Sequence, residues 1–159
     1  KGEVNFIGLS MNYPEDKITG MKWLGGGPYR VWKNRMQGNQ FGVWHKDYNN
    51  TVTGESWIYP EFKGYHANVN WVVVENKEKP FTIYFENDNT FFQMLQPEKP
   101  KGAGNNYTSP PFPSGDLGFM YAIPPIGTKF QTPEKMGPQS QKSIQLNDTP
   151  VTGVLWFEF

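Results

Sequence analysis

Gly64-Tyr65-His66-Ala67-Asn68-Val69-Asn70-Trp71-Val72-Val73 is the stretch on which the fold turns. Ala67, Val69, Trp71 and Val73 alternate with His66, Asn68, Asn70 and Val72. That period of two belongs to a β-strand, whose successive side chains point to opposite faces, so one row is expected to face inward. His66 then falls on the polar row, at the surface or a sheet edge. Asn76-Lys77-Glu78-Lys79-Pro80 reads as a turn, after which Phe81, Ile83 and Phe85 alternate with Thr82, Tyr84 and Glu86. Residues 65–86 are therefore expected to form an antiparallel hairpin.

Upstream, Val4, Phe6 and Gly8 alternate as a first strand that Asn12-Tyr13-Pro14-Glu15-Asp16 interrupts. Ile18 to Leu24 reads as a second strand running into Gly25-Gly26-Gly27-Pro28, where a tight loop is expected. Gln40 to Trp44 fits a short strand, and Tyr48 to Trp57 carries the turn residues Asn49, Asn50 and Gly54. Downstream, Thr90 to Leu95 suggests a further strand, and Gln96 to Pro113 is a long loop with five prolines. Leu117 to Ile123 reads as a strand, and Lys129-Phe130 as the extension of a neighbouring one. Val151 to Phe159 closes the chain, with Val154, Trp156 and Glu158 on one face and Leu155, Phe157 and Phe159 on the other. Short strands without a helical pattern favour an all-β, antiparallel β-sandwich over a barrel, with residues 1–159 as one domain.

Composition agrees. The 159 residues include 6 Trp, 8 Tyr and 12 Phe beside 17 Gly and 14 Pro, a mixture suited to short strands and turns. Fifteen basic residues balance fifteen acidic ones, so no net field attracts nucleic acid or an anionic membrane. No stretch approaches the roughly 20 apolar residues that span a bilayer. Cysteine is absent, which excludes disulfides and thiolate metal sites. Lys1 to Ser10 already alternates like a strand, as expected of an excised segment or a processed mature end.

Two segments carry a family resemblance. Trp23-Leu24-Gly25-Gly26-Gly27-Pro28-Tyr29-Arg30-Val31-Trp32-Lys33-Asn34-Arg35 resembles the W-x-G-x-G-P-x-E-x-Y-x-D-R signature in the C-terminal domain of family 2 glycoside hydrolases of the β-galactosidase type. Tyr59-Pro60-Glu61-Phe62-Lys63-Gly64-Tyr65-His66-Ala67-Asn68-Val69-Asn70-Trp71 is similar to the same domain's Y-x-x-P-Q-E-N-G-x-x-x-x-V-x-W segment. The resemblance implies a galactose-mutarotase-like supersandwich, contributed as the C-terminal part of a larger multidomain hydrolase. The nucleophile and acid/base glutamates of that family lie on a separate (β/α)8 barrel, whose motifs have no counterpart here. It further implies other domains of a parent hydrolase and a galactoside or plant-wall oligosaccharide as partners, no cofactor, and a periplasmic or extracellular setting. Arg30, Trp32 and Asn34 depart from the usual Glu, Tyr and Asp, and Phe62-Lys63 from Glu-Asn. The departures touch polar contacts, whereas the glycines and prolines that set backbone shape are retained.

The chemistry-bearing residues support binding better than catalysis. Glycoside hydrolysis needs two carboxylates about 5 to 10 Å apart across a sugar, and Glu55, Glu61, Glu75, Glu86, Asp88 and Asp116 are scattered. His45 and His66 could serve as the proton-transfer groups of a mutarotase-like enzyme, though no motif aligns them. Two histidines 21 residues apart lack zinc spacing, and Asn87-Asp88-Asn89 lacks the rest of a calcium loop. Gly25 to Gly27 has neither the following Lys-Ser/Thr nor the helix of a phosphate loop. Loop aromatics are the better lead, because a pyranose packs its C–H face on an aromatic ring while polar neighbours fix its hydroxyls. Tyr29, Trp32, Trp44, Trp57, Tyr59 and Tyr107 are such residues. Sugar contact is expected around Arg30, Trp32, Arg35, Trp57 and Glu61, with no catalytic residue on the chain. The reading is an accessory domain of a β-galactosidase-like hydrolase, with an autonomous carbohydrate-binding module and a mutarotase-like enzyme as alternatives.

Overall fold

The computed structural model describes residues 2–48, 64–95, 111–128, 130–141, 145–146 and 150–159, and these described residues form ten strands. They are β1 (Gly2–Glu3), β2 (Ile7–Met11), β3 (Ile18–Gly27), β4 (Gln40–Asp47), β5 (Trp71–Asn76), β6 (Phe81–Phe85), β7 (Phe91–Met94), β8 (Leu117–Ala122), β9 (Gln145–Leu146) and β10 (Leu155–Glu158). Among the described residues the only helical pieces are single 3-10 turns at Glu15–Lys17, Pro133–Lys135 and Pro138–Ser140. No described helix is long and apolar enough to cross a membrane.

A five-stranded antiparallel sheet runs in the order β10-β6-β5-β3-β4 and a three-stranded one in the order β2-β8-β7, while β1 pairs with β9. The two larger sheets face each other as a sandwich. Their inward rows supply the core: Met21, Trp23, Val72, Val74, Ile83 and Phe85 from one side, Phe92, Met94, Leu117 and Phe119 from the other. Phe85, Phe92 and Phe119 meet across the gap at ring-centre distances of 5.5 to 6.0 Å, within the range where tilted and edge-on rings attract. Burying each of these side chains contributes about 1.5–3 kcal/mol before the cost of ordering the chain.

The hairpin exists, but residues 64–73 do not form one strand with one inward row. Asn68 sits in the left-handed region at φ 52, and just beyond it, between Val69 and Val72, the alternation slips by one residue. Ahead of it, His66 pairs with Phe92 of β7 and Tyr65 with Val31. Beyond it, β5 pairs with β3 and β6. The segment thus switches from the three-stranded to the five-stranded layer, and the switch inverts the expected faces. Ala67 and Val69 are buried, yet beyond Asn70 it is Val72 and Val74 that enter the core, and Trp71 and Val73 turn outward. His66 is correspondingly not a surface residue: it is fully buried, its ring 4.4 Å from that of Trp23.

The triglycine is a second departure. Instead of a loop, Gly25 to Gly27 completes β3, pairing with Gly42, Phe41 and Gln40 of β4. Glycine is needed for closeness, since a Cβ on Gly25 would lie 2.9 Å from the Val69 Cα and one on Gly27 would lie 2.6 Å from the Trp44 ring. β4 extends to Asp47, beyond the expected end at Trp44. Phe130 is in no strand, and Lys129 lies outside the described residues, as do 49–63 and 96–110.

Candidate functional site

The corner between β3 and β4 gathers most of the residues singled out by the sequence. β3 ends in a cis Gly27-Pro28 bond. Above it, two indoles donate to successive glycine carbonyls: Trp23 Nε1 to Gly26 O at 3.0 Å and Trp44 Nε1 to Gly25 O at 3.2 Å. Both tryptophans are therefore architectural, Trp23 bonding within its own strand and Trp44 across from β4.

The following loop, residues 28–39, is fastened at both ends. Val31 exchanges two backbone hydrogen bonds with Tyr65, at 2.7 and 2.9 Å. Asn34 donates from Nδ2 to Ile126 O (2.9 Å) and Ser140 Oγ (2.7 Å), and its Oδ1 accepts from the Ile126 N–H (3.0 Å). Lys33 Nζ donates to Gln141 O at 3.1 Å, and partial burial holds its ammonium pKa below the ordinary value. Asn39 Nδ2 donates to Tyr29 O at 3.1 Å. Asn34 was legible only as a departure from a motif, because its partners lie 92 and 106 residues away in sequence.

Of the five expected sugar-contact residues, the three that are described occupy different environments. Arg30 and Trp32 are buried, at 2% and 0% exposure. Trp32 packs edge-on to Tyr65 at 5.9 Å and against Phe112 at 5.3 Å. Arg35 is half-buried and donates from Nη1 to Asn34 O at 2.9 Å. Trp57 and Glu61 lie outside the described residues, as do Tyr59 and Tyr107. Tyr29 remains 45% exposed at the loop surface.

Beneath the loop, Trp32, Tyr65, Met120, Ile123 and Ile126 form a second apolar cluster, with Phe6, Phe91 and Phe112 against it. The Trp32 indole N–H and the Tyr65 hydroxyl are both buried there without a hydrogen-bond partner among the described residues. Burial raises the Tyr65 phenol well above its ordinary pKa, since the apolar surroundings disfavour the phenolate.

Most titratable groups lie apart, but His45 Nε2 has two carboxylates beside it, Glu75 at 3.0 Å and Asp47 at 3.9 Å. Asp116 accepts from the Tyr13 backbone N–H at 2.8 Å, and Glu86 accepts from Trp156 Nε1 at 2.5 Å. Glu55 lies outside the described residues. His45 stands on the solvent side of the five-stranded sheet and His66 between the sheets, so the structure does not bring the two together. Among the described residues no three His, Cys, Asp or Glu side chains converge as a metal site.

A fixed corner with buried aromatics is thus the product of the two sequence motifs, and a family model built on that region decides the assignment: the beta-galactosidase small chain model matches residues 3–108. This chain belongs to the beta-galactosidase small chain family. The match spans β1 to β7 and contains the whole triglycine corner and the layer-switching segment. Searches of curated proteins and of solved structures return no match to the chain. The small-chain corner is therefore a β-galactosidase-related scaffold.

Proposed function

We propose that this small-chain domain is the accessory part of a β-galactosidase-like glycoside hydrolase, bracing the catalytic domain and lining one edge of its carbohydrate-binding cleft. The family match over residues 3–108 carries the proposal. The pinned loop 28–39 suits a cleft edge, since a loop held by Asn34 and Val31 can present Arg35 and Tyr29 in a fixed place. Buried Arg30 and Trp32 then shape that edge from below.

Co-expression with the catalytic (β/α)8 part tests the reading. The chain by itself should release no galactose from a β-galactoside, and it should co-purify with the catalytic part and raise its rate. Arg35→Ala in the assembled enzyme should raise KM several-fold with little change in kcat, the pattern of a lost binding contact. Sugar release by the purified chain alone, or failure of the two parts to associate, would overturn the proposal.

A further inference from the structure

The layer switch at Asn68 gives the solvent face of the five-stranded sheet a composition that the strand pattern does not foretell. Pairing aligns Val43 with Leu24, Leu24 with Trp71, Trp71 with Tyr84, and Tyr84 with Trp156. Directly paired residues of an antiparallel sheet share a face, so these five side chains form one row across all five strands. At a strand spacing of about 4.8 Å the row is about 19 Å long. It is open to water: Val43 is 57% exposed, Trp156 58% and Tyr84 40%, with Leu24 and Trp71 half-buried between them.

The rings are held. Trp156 donates its indole N–H to Glu86 at 2.5 Å, and Tyr84 donates its hydroxyl to Glu158 at 2.8 Å. Each bond fixes a ring while leaving carboxylate lone pairs for other donors. Beside the aromatic row runs a polar one, His45, Lys22, Val73, Thr82 and Glu158 in register, with Asp47 and Glu75 flanking Gly20 beyond it.

We propose that this face is a binding platform for a neutral, extended oligosaccharide chain, which stacks its sugar rings on Trp71, Tyr84 and Trp156 and donates hydroxyl hydrogen bonds to Glu86 and Glu158. Aromatic rings on neighbouring strands offer successive apolar surfaces, and a pyranose supplies the matching C–H face with hydroxyls at its rim. The charge selects among glycans. Asp47, Glu75, Glu86 and Glu158 outnumber Lys22 and His45, so a uronic-acid or sulfated chain would be repelled. The same carboxylates argue against a protein surface as occupant, because a broad dry interface would strip water from Glu86 and Glu158 without supplying donors in register. That the ligand is a glycan rests on the carbohydrate-hydrolase reading above; the location rests on the row alone.

Affinity gel electrophoresis of the chain tests the platform, with galactan and xyloglucan as neutral polysaccharides and polygalacturonate as the anionic one. Retardation by a neutral polysaccharide is expected, accompanied by a tryptophan fluorescence change on titration with its oligosaccharides. Trp156→Ala and Tyr84→Ala, checked for native circular dichroism, should each weaken binding about tenfold. Their combination should abolish it. Absence of retardation in both neutral gels, binding that survives both substitutions, or tighter binding to polygalacturonate would each overturn the platform. The accessory reading has a separate readout: a chain that stimulates the catalytic part yet ignores polysaccharide loses the platform alone. One that is retained in the gel yet fails to associate loses the accessory role alone.

Discussion

A Cβ placed on Gly64 would stand 2.6 Å from the Val31 carbonyl oxygen and 2.8 Å from the Trp32 ring, and neither neighbour is the free end of a flexible chain. Gly64→Ala must therefore push apart the pair of backbone bonds that anchors loop 28–39. It should cost about 1–3 kcal/mol, read as a lowered thermal midpoint. Gly2→Ala, with nothing within 4 Å of the added carbon, should leave that midpoint unchanged. Tyr65 makes a different prediction. Its buried hydroxyl has no partner among the described residues, so Tyr65→Phe removes an unsatisfied group and should hold or raise stability by up to about 1 kcal/mol. The folded chain also binds the phenol proton more tightly than the unfolded chain, where the pKa stays near 10.0. Stability linked to that proton is whole below pH 10 and is lost as pH rises above it, at up to about 1.4 kcal/mol per pH unit. Urea titrations between pH 9 and 11 should show this loss in the wild type and a shallower one in Tyr65→Phe. Neither residue announced its role in sequence: Gly64 and Tyr65 were visible as motif positions, while the surfaces they meet come from residues 31, 32 and 112.

At the level of elements, the strands were legible where a period of two ran without interruption. β6 and β10 lie close to where the apolar alternation put them, and β7 and β8 close to the apolar runs 90–95 and 117–123, because inward residues such as Ile83, Phe92 and Phe119 must leave water. The segment 64–73 shows what alternation cannot report. The phase slips by one residue just past the left-handed Asn68, between Val69, whose N–H bonds Thr90 O beside β7, and Asn70, whose N–H bonds Leu24 O of β3, and the apolar count of the sequence is the same either way. Asn68→Gly should preserve the switch, whereas Asn68→Val forces a β-branched side chain into the left-handed region and should cost about 1–2 kcal/mol. A urea midpoint lowered for valine and near wild type for glycine would show it. Gly25 to Gly27 misled for a related reason: glycine loosens a chain locally, but here the neighbouring strand and two indoles exploit its lack of volume, and the strand continues.

For the whole molecule, the two sheets adhere through the contact of Phe85, Phe92 and Phe119, so disruption of one ring should be felt in both layers. Phe119→Ala is expected to cost about 3–5 kcal/mol. Its melting temperature should fall by roughly 6–20 °C, with near-ultraviolet and far-ultraviolet circular dichroism lost in one transition. Separate transitions would mean that the layers fold independently. The amino-acid sequence on its own determined the all-β class, the alternating strands, the sandwich and the β-galactosidase kinship, since these follow from local periodicity, turn chemistry and two contiguous motifs. Only the tertiary structure decided that Trp32, Arg30 and His66 are enclosed while exposed Tyr84 and Trp156 align with half-buried Trp71. Burial of a given side chain depends on which layer covers it, and cross-strand register is set by contacts between residues far apart in the chain.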